Sequence, residues 1–341
     1  MGGDYGPSCV VPGVHMAFRE RPDTHFIFFG HRQKIEEYLD KFPDLKGNST
    51  IHHTEDYVSS SDKPSNALRT GQNSSMRLSI DAVRDNTAQG IVSGGNTGAL
   101  MAMAKMVLKC LPGIHRPAIA SVFPAAKGKT VMLDLGANLV SDPENLSQFA
   151  VLGAVYARLI NGIGEPTVGI LNVGSEDMKG HDSLREASAI LANVKFPGRF
   201  QGFVEGDDIT KGTVDVVVTD GFTGNIALKM AEGVAKFMGA ELRQAFTSSI
   251  PAKIGYLFAN RAMKRMKTKL DPRYYNGGIF MGLNGICIKS HGSSDSYGFS
   301  RAVILAADLV RSGFNERVST EIESLMNQES FFSHDSLRNT F

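Results

Sequence analysis

The chain of 341 residues has almost no net charge, little cysteine and no long apolar run. Its 36 lysines and arginines against 35 acidic residues leave a formal charge of +1. No global field draws it to nucleic acid or to a membrane, so any such preference must come from local patches. The three cysteines, Cys9, Cys110 and Cys287, are far apart and share no metal-ligand spacing. That excludes a disulfide scaffold and reads most simply as free thiols in a reducing cytosol. His52 and His53 are adjacent, not spaced for one helical face, so no metal is expected. Apolar runs stop short of the roughly 18 residues of a membrane-crossing helix. The N-terminus lacks the basic and then apolar pattern of a signal peptide.

What is present is an ordinary globular mix, 42% hydrophobic and 21% charged, which argues against disorder. A chain this long buries about three quarters of its unfolded surface, enough for a full core. Candidate strands fall at 25–29, 90–93, 117–123, 130–135, 167–173, 200–204, 214–219 and 285–289. Several are continuous apolar runs, as expected of strands covered on both faces. Helical patterns lie between them, near 31–42, 74–86, 97–110, 143–161, 182–193, 222–246 and 294–312. The alternation predicts one large α/β domain over 1–341 with a mainly parallel sheet. No tandem repeat is visible. The opening "MGGDYGPS" reads as a loop with no strand before it.

One segment breaks the pattern. Between 242 and 270 there is no acidic residue, but Arg243, Lys253, Arg261, Lys264, Arg265, Lys267 and Lys269 are basic. Ile254, Leu257, Phe258, Met263 and Met266 are interleaved near helical spacing, and Pro251 and Pro272 bracket the stretch. It reads as a protruding helical insertion at about 247–271, basic on one side and apolar on the other.

Three strand ends are tipped with small polar residues: "IVSGGNTGAL" (91–100), "VTDGFTGNIAL" (218–228) and "LNVGSEDMKG" (171–180). In open α/β sheets ligands bind beyond strand carboxyl ends. Glycine admits close backbone approach, and a helix N-terminus favours an anion. Neither of the first two loops has dinucleotide or P-loop spacing, so the pattern points to an anionic or acyl-carrying ligand, or else to ordinary glycine turns. Lys179 can bind phosphate or stabilise an oxyanion, or it can pair with Glu176 in solvent. His291 follows a strand among small residues and suits proton transfer near neutral pH. Asp182 and Ser74 read as helix caps, Asp295 or Ser294 caps the helix after His291, and Asp142 or Ser141 caps the helix opened by Pro143. Asp134 and Asn138 are placed to point into a cleft.

Together "MGGDYGP", "NSSM", "GNTGALM", "LDLGAN", "LNVGSEDMKG", "VVVTDGFTGNIALK" and "IKSHGSSDS" resemble the bacterial acyl-ACP:phosphate acyltransferase family of phospholipid synthesis, in register to about residue 311. The resemblance implies a Rossmann-like α/β/α fold, similar to phosphotransacetylases and isopropylmalate dehydrogenases. It implies a cytosolic homodimer in peripheral contact with the membrane, where the next acyltransferase uses the product. The substrates implied are acyl carrier protein, bearing a fatty acyl thioester, and inorganic phosphate. Family members carry a strand before Met-Gly-Gly-Asp; here that Met is residue 1, so this expected first strand is missing.

Such chemistry needs no metal or organic cofactor. Phosphate is a nucleophile at neutral pH, and a thiol of pKa about 8.5 leaves readily as thiolate. On residue type and position, Gly95, Asn96, Thr97, Gly98, Gly224 and Asn225 are candidates for phosphate. Lys179 is the candidate for charge stabilisation and His291 for the proton of the leaving sulfur. Asn138, Asn172 and Asp220 are candidates to line the site, the last two by orienting these groups. Ile254, Leu257, Phe258, Arg261, Lys264 and Arg265 would contact anionic lipid or the acidic carrier protein, unless that segment merely covers a dimer core. The alternatives are a phosphotransacetylase-like enzyme using acyl-CoA and a non-catalytic membrane adaptor.

Overall fold

The computed structural model describes residues 2–271, 273 and 276–326. In chain order the elements are α1 (Pro7–Glu20), β1 (Phe26–Gly30), α2 (Arg32–Leu39), α3 (Pro43–Gly47), β2 (Ser49–His53), α4 (Pro64–Thr70), α5 (Ser75–Arg84), β3 (Gly90–Ser93), α6 (Thr97–Leu108), β4 (Ala118–Ala125) and β5 (Gly128–Leu133). They continue as α7 (Pro143–Ile160), β6 (Thr167–Leu171), α8 (Asp182–Asn193), β7 (Arg199–Val204), α9 (Gly206–Lys211), β8 (Val216–Val218), α10 (Gly221–Thr247), α11 (Ile250–Leu270), β9 (Gly278–Met281), β10 (Ile286–Lys289), α12 (Ser296–Arg311) and α13 (Phe314–Met326). The opening expected as loop becomes helix from Pro7. Cys9, Val11, Val14, Ala17 and Phe18 recur at helical spacing and are buried. Proline at the first turn suits a helix start.

Eight strands form one sheet in the order β3-β10-β9-β4-β5-β8-β6-β7, and β1 and β2 pair separately in parallel. The sheet is mainly parallel, as expected. Its continuous apolar strands split by parity between two cores. Val216 and Val218, Val131 and Leu133, and Ile286 and Ile288 pack beneath α7 and α12. Val217, Met132 and Cys287 pack on the other face with α5 and α6. A third core joins α1, β1 and α2 to α12, where Arg21 also holds Asp308 through two bonds of 2.7 and 3.0 Å.

Antiparallel pairing of β9 with β10, and of β4 with both β9 and β5, reverses strand direction in mid-sheet. Strands β3 and β10 therefore run opposite to β5, β8, β6 and β7. The three strand ends tipped with small polar residues therefore do not all lie at one end of the sheet. The loop after β3 and His291 lie at one end of the sheet. The loops carrying Asp134, Asp220 and Asn172 lie at the other.

A cavity of about 500 Å³ separates the two sheets. It is lined by residues 26–29 of β1 and 90–93 of β3, consecutive positions of both strands. Alternate side chains face opposite ways, so consecutive lining residues mean that the strand edges themselves border the cavity.

Helix α11 packs chiefly on α10. Ala252, Ala259, Asn260, Met263 and Met266 are its half-buried positions among the described residues, while Ile254, Leu257, Phe258, Arg261, Lys264 and Arg265 are exposed. At 3.6 residues per turn those six share one face. The expected division into a basic side and an apolar side is thus corrected: the outer face is apolar in its first half and basic in its second. Phe258 is 88% exposed. Pro272 and the side chain of Lys269 lie outside the described residues. Among the described residues, no helix is long and apolar enough to cross a membrane.

Candidate active site

Three glycine-bearing loops meet at the carboxyl ends of β3 and β10. Asp4 N donates to Gly292 O at 3.1 Å, and Ser290 N donates to Ser93 O at 2.9 Å. A Cβ on Gly3 would lie 3.6 Å from both Gly94 O and Gly292 O, and one on Gly292 would lie 3.4 Å from Gly94 O. An added Cβ at Gly3 or Gly292 would sit in ordinary van der Waals contact with the facing carbonyls, so the three loops run backbone against backbone with little space between them. Gly95 backs onto Met76, whose Cε would sit 2.7 Å from an added Cβ. Asn96 accepts from Ala99 N at 3.0 Å, capping α6, and its amide donates to the carbonyls of Ser59, Ser60 and Asp62. Thr97 is the first residue of α6, and Gly98 lies against Pro64.

Helix α10 starts at the opposite end of the sheet and runs back toward these loops. Its Lys229 Nζ lies 2.9 Å from His291 Nε2. An ammonium only donates, so Nε2 accepts from Lys229, while Nδ1 faces Ser293 Oγ at 2.9 Å and the backbone N–H of Ser293 at 3.3 Å. Burial, and then the charge of Lys229, hold His291 below the usual imidazole range; Lys289 and Lys236 add to this and Glu232 opposes it. Lys289 closes β10 two residues before His291 and is pushed down to about 8 by burial and then by Lys229, with Asp4 opposing. Lys229 also donates to Glu232 at 2.9 Å. Asn225 precedes Lys229 by one helical turn, so both share a face of α10.

At the other end, Asp134 is fully buried. Its carboxylate accepts from the backbone N–H groups of Ile119, Gly136, Ala137 and Asn138 and from Asn138 Nδ2. Burial pushes its carboxyl above the usual range, while these donors pull it back. Asn138 is buried too, and its amide also donates to Pro117 O at 2.8 Å. Asp134 and Asn138 therefore fix the loop, and the expectation that they point into the cleft is corrected. Gly224 lies so close to this loop that a Cβ would sit 1.8 Å from Asp134 O. Asp220 caps α10, accepting from Thr223 N at 2.8 Å and Thr223 Oγ1 at 2.9 Å. Asn172 holds the loop of Lys179: its amide donates to Lys179 O at 3.1 Å, and its Oδ1 accepts from Val173 N at 2.9 Å. Lys179 is exposed, and its Cγ lies near Gly174. His181, not Asp182, is the N-cap residue of α8, and Asp182 pairs with Arg185. Ser74, Asp142 and Asp295 cap their helices as expected.

The structure thus brings Asn225 and His291 to one helix face through Lys229, and groups Asn172, Lys179 and Asp220 at the far end of that helix. Lys229 and Lys289 are absent from the sequence candidates. The available signals were their positions, one helical turn after Asn225 and two residues before His291. Among the described residues, no group of three or more His, Cys, Asp or Glu is arranged to hold a metal.

The sequence model of the family described as "Fatty acid synthesis protein" matches residues 1–317. A phosphate acyltransferase of Paramagnetospirillum magneticum is 54% identical over 325 residues, covering 95% of this chain and 93% of the relative. One from Rhodospirillum centenum is 55% identical over 325 residues, covering 95% and 92%. Among solved structures, the EutD phosphotransacetylase of Staphylococcus aureus superposes with a TM-score of 0.56 at 17% identity, covering 89% of this chain and 92% of that one. A phosphotransacetylase of Streptococcus pyogenes gives 0.57 at 18%, covering 89% and 90%. These two likenesses establish the fold, in line with the phosphotransacetylase-like architecture that the motifs implied. The chain belongs to the fatty acid synthesis protein family, whose members 46–55% identical to it are named phosphate acyltransferase.

Proposed function

We propose that the chain moves a fatty acyl group from the thioester of acyl carrier protein to inorganic phosphate, giving acyl phosphate for phospholipid synthesis. A phosphate oxygen attacks the thioester carbonyl, a C–O bond forms, and the C–S bond breaks. A proton ends on the leaving sulfur, with His291 as its carrier, and the proton of the phosphate is released to solvent. The observation that carries this reading is the contact of Lys229 with His291. It sets a cation and a neutral imidazole beside glycine loops that let a ligand approach backbone. Positioning and electrostatics are what the reaction requires.

The polar face of α10 forms a track with Asn225 and the Lys179 loop toward one end and His291 toward the other. Lys179 would stabilise the charge that develops on the substrate, while Gly95, Thr97, Gly98 and Asn225 border the approach. Asn96, Asn138, Asn172, Asp220 and Gly224 support the loops. Trapping acyl phosphate with hydroxylamine, from acyl carrier protein thioester and phosphate, tests the reaction. Lys179→Ala with normal turnover at limiting phosphate would remove the role given to Lys179.

We infer a homodimer from α10, where Phe222, Ile226, Met230, Val234 and Phe237 form an exposed apolar stripe about 22 Å long. A second copy is the occupant that returns such a stripe to an interior. The outer face of α11 suits an anionic membrane surface, each cation contributing about 1 kcal/mol near the lipid. The protein would then be cytoplasmic and peripheral, delivering its product to a downstream acyltransferase at the membrane. Flotation with anionic liposomes, compared with Leu257→Glu/Phe258→Glu, tests this; flotation that survives the change rejects it. Loss of carrier binding with flotation intact would assign the face to the carrier protein instead.

A further inference from the structure

We propose that Lys229 and Lys289, with His291 beside Lys229, form the seat of the phosphate dianion at the carboxyl end of β10, and that phosphate binding there draws a proton onto His291. This deepens the acyl-transfer reading and rests on it.

The N-termini of α6 and α10 are poor seats for a dianion. Asn96 and Asp220 fill them with their own side-chain oxygens, and Asp220 adds a carboxylate at the start of α10. The β10 end has the opposite character. Lys229 is held by His291 at 2.9 Å, on one side of a neutral ring. Lys289 is half-buried, and its ammonium donates to the neighbouring carbonyl of Ser290. The charged groups acting on His291 and Lys289 are Lys229, Lys236, Glu232 and Asp4, besides their own mutual effect. Glu232 is bound to Lys229 at 2.9 Å. Three lysines therefore face two carboxylates, leaving one positive charge unmatched while His291 is neutral. Glycines 3, 94 and 292 keep the neighbouring surface free of side chains.

A dianion entering this cluster changes the sign of the site. The unmatched positive charge becomes a net negative one, which favours protonated His291. Proton uptake restores balance, and the imidazolium so formed is the acid that the leaving thiolate needs. The free site thus keeps His291 neutral and the loaded site arms it.

The test is calorimetric titration of inorganic phosphate into the full chain near pH 7, in two buffers of different ionisation enthalpy, together with the phosphate KM for acyl phosphate formation. Folding of each variant is checked by thermal melting. Wild type is expected to bind phosphate with net proton uptake, visible as a buffer-dependent heat. Lys289→Met and Lys229→Met are each expected to weaken phosphate binding about tenfold or more, the scale of one lost charge-assisted contact. Lys289→Arg is expected to recover most of the loss, and His291→Gln to abolish the buffer dependence. Folded Lys229→Met and Lys289→Met proteins with wild-type phosphate affinity would overturn the seat, even if acyl phosphate is still made and the proposed reaction stands. Phosphate binding without proton uptake would overturn the arming of His291. A wild type that neither binds phosphate nor makes acyl phosphate would overturn both the seat and the reaction.

Discussion

Lys229 Nζ and His291 Nε2 lie 2.9 Å apart, and this contact joins two ends of the sheet that strand direction holds apart. Helix α10 spans the distance. It starts at Asp220, beyond β8, and reaches His291, beyond β10, about 13 Å further along its axis. One helix thereby couples the loop of Lys179 to the cluster around His291.

This pair predicts a pH effect on stability. The fold favours neutral His291, so the unfolded chain takes up the proton first as pH falls through about 6.5, and stability drops. Lys229→Met removes the cation from Nε2 and raises the folded pKa, so its drop is smaller. Thermal melting of both proteins from about pH 7.5 to 5 measures the difference. Equal slopes would contradict the coupling.

Two glycines of α10 predict opposite outcomes. At Gly224 an added Cβ meets Asp134 O at 1.8 Å, so Gly224→Ala displaces the loop built on the buried carboxylate. A loss of about 3 kcal/mol is expected. At Gly239 nothing lies within 4 Å, and Gly239→Ala is expected to stabilise the helix by about 0.5–1 kcal/mol. Denaturant midpoints decide; a neutral Gly224→Ala would show that the loop yields.

The apolar stripe of α10 predicts a dimer that charge disrupts. Ile226→Glu combined with Met230→Glu is expected to give a folded monomer by sedimentation, while wild type sediments as a dimer. A wild-type monomer at micromolar concentration, or a dimer that tolerates both glutamates, would reject this use of the stripe.

The cavity between β1 and β3 predicts room for a strand. An extended apolar peptide of four or five residues entering it would pair with both strand edges. It is expected to raise the melting temperature and slow amide exchange in β1 and β3. A polar segment of equal length is the control. Equal effects of the two would show that the cavity does not accept a strand.

Much of the fold was legible because most strands are buried on both faces and therefore read as unbroken apolar runs. Val216–Val218 and Ile286–Lys289 are of this kind. β2 was not, since its "STIHH" is largely exposed and lacks that signal. α1 was hidden by Pro12 and Gly13, although its buried residues keep helical spacing. The reversal of strand direction was the costlier omission. It takes the antiparallel pairings of β9 with β10 and β4 together with the β4–β5 hairpin, where Ala125 pairs with Gly128, and Gly128 takes a φ of 130°. The stretch "PAAKGK" between two apolar runs carried that turn signal. In the site, His291 was legible from its loop, but Lys229 and Lys289 were not. A lysine in a helix or at a strand end looks solvated until tertiary structure sets it against other cations. Asn138 and Asn172 looked like ligand contacts for the complementary reason: short amides suit both ligands and loops, and here the loops take them.

The most direct measurement supplies the chain with acyl carrier protein thioester and phosphate labelled throughout with heavy oxygen, and follows the product by mass spectrometry, with acyl-CoA run in parallel. Attack by phosphate on the thioester predicts acyl phosphate that retains every labelled oxygen, formed faster from the carrier protein than from acyl-CoA. Folded protein that yields no labelled acyl phosphate from the carrier thioester, or prefers acyl-CoA, would contradict it.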